Sequence, residues 1–64
     1  MTLQQVKDAI KQGKTVCVGS EVYQVQQDSK GQYNIVCTLN GYTIGLTWLD
    51  GITLNCKESE LFIK

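Results

Sequence analysis

Residues 32–48 read Gln-Tyr-Asn-Ile-Val-Cys-Thr-Leu-Asn-Gly-Tyr-Thr-Ile-Gly-Leu-Thr-Trp: two alternating runs split by Asn40-Gly41. Asn-Gly between alternating apolar runs is the strongest short-range signal for a β-hairpin. A two-residue turn there pairs Leu39 with Tyr42, Cys37 with Ile44, Ile35 with Leu46 and Tyr33 with Trp48. All eight fall on one apolar face, and Asn34, Val36, Thr38, Thr43, Gly45 and Thr47 fall on the other.

Working outward, Glu21–Gln27 alternates again, and Asp28-Ser29-Lys30-Gly31 is turn chemistry. A three-residue loop with Gly31 as a bulge sets Val25 against Ile35 and Tyr23 against Cys37, which continues the apolar face. A four-residue loop breaks it by placing Val25 opposite Asn34. Thr15–Val18 precedes Gly19-Ser20, a two-residue turn that sets Val16 opposite Tyr23. Twelve residues from four strands then share one face. Farther on, Asp50-Gly51 reads as a turn, Ile52-Thr53-Leu54 as a short extended piece and Leu61-Phe62-Ile63 as a last strand.

At the other end, Thr2 and Gln5 form a capping-box pattern. Leu3, Val6 and Ile10 with Ala9 make a narrow apolar stripe, and Gly13 is the stop signal. Lys7 and Lys11 take the polar side. A helix this short needs something to dock on. The expected fold is α+β, a single domain over residues 1–64. It has an N-terminal helix packed on a four- to five-stranded antiparallel meander, with curling into a partial barrel as the alternative closure.

The chain has 64 residues, six lysines against six acidic groups, and no His, Arg or Pro. Lacking His, it has neither an imidazole base nor a Cys-His or Ser-His nucleophile pair. Lacking Arg, it has no bidentate fork for phosphate or guanine. Zero net charge disfavours nucleic acid as a partner, because that affinity rests on neutralising phosphates. Cys17, Cys37 and Cys56 are odd in number and form no C-x-x-C pair, so they read as free thiols, with no metal and no cofactor expected. No apolar run is long enough to span a membrane, and residues 1–13 lack the apolar core of a leader, so a cytoplasmic location is expected. Scattered carboxylates offer no paired acid and base, and no enzyme is expected.

Two places remain as candidate binding surfaces. On the second sheet face, Val22 and Val36 with Cys17 make a small apolar patch edged by Gln and Thr. Its cover is Leu61–Ile63, a second copy in a homodimer, or a foreign protein. The other place is Gly45–Asn55, where Trp48 and Asp50 stand at a loop tip and Asn55 follows. The plainer reading of that loop puts Trp48 in the core, with Asp50 capping the turn and Asn55 bonding local backbone.

The stretches Gly-Gln-Tyr-Asn-Ile-Val (31–36), Ile-Gly-Leu-Thr-Trp-Leu-Asp-Gly (44–51) and Thr-Leu-Asn (53–55) resemble a group of short uncharacterised proteins from bacteriophages and prophages. The resemblance implies a small non-enzymatic binding protein that engages a host protein through an exposed sheet face or edge. The alternative it leaves is a module that sequesters a small polar or nucleotide ligand at an oligomer interface. No functional residue follows from it.

Overall fold

In the computed structural model, which describes residues 1–64, Thr2 caps helix α1 (Leu3–Lys11). The Thr2 hydroxyl accepts from the Gln5 N–H at 3.2 Å, and the Gln5 side chain accepts from the Thr2 N–H at 2.9 Å. The other end closes with the Lys14 N–H on the Ala9 carbonyl and the Gly13 N–H on that of Ile10, the paired bonds of a Schellman cap. Val6 and Ala9 are buried, and Leu3 and Ile10 pack beside them.

The strands are β1 (Val16–Val18), β2 (Ser20–Gln27), β3 (Tyr33–Cys37), β4 (Thr43–Gly45) and β5 (Leu61–Ile63), the last entered through a 3₁₀ turn at Glu58–Glu60. They form one antiparallel sheet in the order β4-β3-β2-β1-β5. Both edges are open, so the sheet does not close into a barrel. A single cross-strand row, Ile63–Val16–Val25–Ile35–Ile44, spans all five strands on the helix side. Its three central members are buried and its two ends are exposed. A nine-residue helix is about 13 Å long, whereas five strands are about 19 Å across. One helix is too small to cover the row.

Register separates the three hairpins. Across β2 and β3, Val25 faces Ile35 and Tyr23 faces Cys37, as the Gly31 reading requires. The other two hairpins differ from expectation by two residues. Ile35 faces Ile44, not Leu46, and Cys37 bonds Tyr42 in place of a Leu39–Tyr42 closure. A two-residue I′ turn needs positive φ at both central residues, and no non-glycine residue here has one. Instead the Asn40 side chain accepts from the Tyr42 N–H, and Thr38 donates its N–H and its hydroxyl to the Val22 carbonyl. Thr38 is thereby drawn to β2, and the loop widens to residues 38–41. At Gly19, a bulge between Cys17 and Val18 moves Val16 from Tyr23 to Val25. Slips of two keep every side chain on its face, so the core composition survives.

The expected twelve-residue face is only partly buried. Val16, Val18, Val25, Ile35, Cys37 and Leu46 are inside and Tyr33 packs beside them, but Tyr23, Leu39, Tyr42, Ile44 and Trp48 are exposed. The extended run expected through Trp48 ends at Gly45, and the piece at Ile52–Leu54 contributes only a bridge from Leu54 to Thr47. The chain leaves β4 at one sheet edge and re-enters as β5 at the other, so residues 46–60 must cross the sheet. Leu54 and Cys56 pack on the core, which puts the crossing on the helix side.

The crossing segment therefore does not cover the second face. Leu61–Ile63 does not fold over it but pairs edge-on with β1. Its central row is Phe62–Cys17–Gln24–Val36–Thr43. Cys17 is fully buried there, while Gln24 and Val36 are half-buried.

Candidate functional site

The crossing segment begins with a bend that only glycine accepts comfortably. A Cβ on Gly45 would lie 3.0 Å from the Thr47 carbonyl oxygen. Beyond it, Asn55 ties the base of the loop. Its N–H donates to the Leu46 carbonyl, and its amide donates to the carbonyls of Gly45 at 2.8 Å and Thr47 at 3.5 Å.

Asp50 organises the tip. One carboxylate oxygen accepts from the N–H groups of Ile52 at 2.8 Å and Thr53 at 2.9 Å, and the other accepts from the Thr53 hydroxyl at 2.6 Å. Two backbone bonds, Trp48 N–H to the Thr53 carbonyl and Gly51 N–H to the Trp48 carbonyl, complete the turn. The Thr53 hydroxyl above all, then the Thr53 and Ile52 N–H groups, hold the Asp50 carboxyl below its ordinary 3.8. Asp28 at the β2–β3 turn is lowered in the same manner, first by the Gln32 N–H.

The product is a polar frame that displays apolar side chains. Leu49 is 109% exposed, Ile52 76% and Trp48 63%. Water gains nothing from three such groups, and clustered exposure of this kind marks contact surfaces. Beneath the tip, a cleft of about 360 Å³ lies between α1 and the β2–β3 turn, lined by Lys7, Tyr33, Asn34, Thr47, Trp48 and Leu49 among others. Lys7 is its only charged side chain, and its ammonium stands 5.7 Å from the centre of the Tyr33 ring, within range of a cation–π contact.

Of the five residues singled out from the sequence, the structure brings Trp48, Asp50 and Asn55 into this loop. Trp48 is its display, while Asp50 and Asn55 are its frame. Val22 and Val36 lie elsewhere, half-buried on the second sheet face. Leu49, Ile52, Lys7 and Tyr33 were not singled out. The signal for Leu49 and Ile52 was present: both flank Asp50-Gly51, and alternation stops before them.

The three thiols are free. Burial, with Glu60 adding to it, pushes the Cys56 thiol up from its ordinary value. No three Cys, Asp or Glu side chains converge as metal ligands would. No helix is long and apolar enough to cross a membrane. No protein-family model, no curated protein and no solved structure matches the chain.

Proposed function

We propose that this chain is a small non-enzymatic binding protein of phage or prophage type, working in the host cytoplasm, and that it engages a host protein through the Trp48–Leu49–Ile52 tip. The observation that carries this reading is the pairing of full apolar exposure with a tightly bonded turn. Three hydrogen bonds to Asp50 order the tip before any partner arrives, which lowers the entropy lost on docking. An aromatic anchor flanked by aliphatic groups is the composition of a contact hot spot. The test is a photo-crosslinkable residue at Leu49, followed by titration calorimetry with the purified protein it captures. One captured species binding at 1:1 and lost in Trp48→Ala supports the reading. Equal capture by wild type and Trp48→Ala refutes it.

A second reading rests on the cleft. A lone lysine between Tyr33 and Trp48 suits a small planar anion, which would make the protein a sequestering module. A thermal-shift panel of nucleotides separates the two, since a ligand held there raises Tm progressively with its concentration.

A further inference from the structure

The two edges of the sheet are finished differently. At β4, the outward carbonyl of Gly45 is occupied by the Asn55 amide. At β5 the Leu61 N–H is held by the Glu58 carbonyl of the 3₁₀ turn, and Ile63 carries no such cover. Phe62 lies opposite Cys17, and the bonds from Gly19 N–H to the Glu60 carbonyl and from Lys64 N–H to the Thr15 carbonyl fix the phase of that ladder. Residues 60, 62 and 64 thus turn their backbone groups toward β1, and Leu61 and Ile63 turn theirs outward. An edge of this sort is a template for another strand.

We propose that the strand which fills it is β5 of a second copy, running antiparallel about a two-fold axis at Phe62, so that two sheets join into one of ten strands. The sequence Glu60-Leu61-Phe62-Ile63-Lys64 is self-complementary in this register alone. Leu61 meets the partner's Ile63, and Phe62 meets the partner's Phe62. Glu60 meets the partner's Lys64, and Lys64 meets the partner's Glu60. A parallel, in-register pairing would set Glu60 on Glu60 and Lys64 on Lys64.

The backbone agrees with the side chains. The Leu61 carbonyl accepts from the partner's Ile63 N–H, twice over by symmetry, while the Leu61 N–H stays on its own Glu58 carbonyl. Phe62 and its mate become the intervening non-bonded pair, where side chains approach most closely. Phe62 is 37% exposed and Ile63 45%, so both have surface left to bury. On the helix side, a groove of about 540 Å³ runs between α1 and β5, floored by Met1, Ala9, Leu61 and Ile63. The partner's Leu61 and Ile63 enter it. Asp8 and Lys14 also line that groove, and their charges cancel.

This interface is separate from the Trp48 tip, so either can fail without the other. The test is sedimentation equilibrium on the full chain over a concentration series. Wild type is expected to dimerise. Ile63→Pro removes an outward N–H that the β1–β5 ladder does not use, so it should stay folded by circular dichroism and become monomeric. Lys64→Glu should weaken self-association about tenfold, because it replaces two attractive pairs with two repulsive ones. Glu60→Lys should weaken it at least as much, since it also loses the bond its carboxylate accepts from the Lys57 N–H, and it is read once circular dichroism shows it folded. Mixed at equal ratio, those two variants should form a heterodimer, in which both charge pairs are attractive again. A wild type that is monomeric at every concentration overturns the proposal. So does a dimer that survives Ile63→Pro, or a mixture no tighter than its components.

Discussion

The row from Ile63 to Ile44 and the loop at Trp48–Thr53 place apolar side chains in opposite situations. In the row, Val16, Val25 and Ile35 are buried in one cluster with Val6 and Ala9 of α1 and with Leu46, and removal from water holds them. In the loop, Trp48, Leu49 and Ile52 face water, and the backbone is held by Asp50 and Asn55 through hydrogen bonds. The first region is ordered by what it hides. The second is ordered so that it can show something. Apolar residues therefore carry two meanings in this chain, and local polar bonding separates them.

The sharpest way to break the comparison is at Leu46, fully buried where the two regions join. Leu46→Ala should cost about 2–5 kcal/mol, against a total of about 3–10 kcal/mol expected for 64 residues. Denaturant unfolding followed by circular dichroism should find the variant close to unfolded. A change below 1 kcal/mol would mean the crossing segment is not anchored to the core.

Asp50→Ala should act on the loop alone. Amide exchange should quicken at Ile52 and Thr53, while the amides of β2 and β3 keep their protection. Global loss of protection would refute the division. Acid acts on this loop and on the β2–β3 turn together. The folded-state carboxyls of Asp50 and Asp28 sit below the ordinary value. Their contribution is present above the unfolded pKa of about 4 and is lost as pH falls through the lower folded value. Trp48 fluorescence should change over that window, before the far-ultraviolet signal of the sheet.

The smallest effect is expected at Leu49. Leu49→Ser should leave stability within about 0.5 kcal/mol, because its side chain is fully exposed. A larger loss would place Leu49 in the core and remove the display.

These contrasts also explain what was legible beforehand. The helix, its capping box, the antiparallel α+β class and the β2–β3 register all follow from local pattern, because Gly31 leaves one loop length that keeps the face apolar. The other two registers do not. Alternation has a period of two, so it is blind to a two-residue slip, and the deciding contacts of Thr38 with Val22 lie sixteen positions apart. Burial of Tyr42 and Trp48 was misread for a different reason. Pattern assigns a face only within a strand, and Tyr42 precedes β4 while Trp48 follows its end at Gly45. Within the candidate loop, the roles of Asp50 and Asn55 were readable because they act on near neighbours. The cleft formed by Lys7, Tyr33 and Trp48 joins three distant segments and leaves no local mark.

The place of β5 in the sheet has a consequence for the order of folding. The turns joining β1 to β4 are short, whereas β5 meets β1 across a long interval of chain, with Val18 opposite Leu61. Contacts so far apart in sequence are expected to form late. A chain caught before they form carries the Trp48 tip but no β5 edge on the sheet. In the proposed dimer, assembly through Phe62 is thus open only to molecules whose β5 has docked on β1.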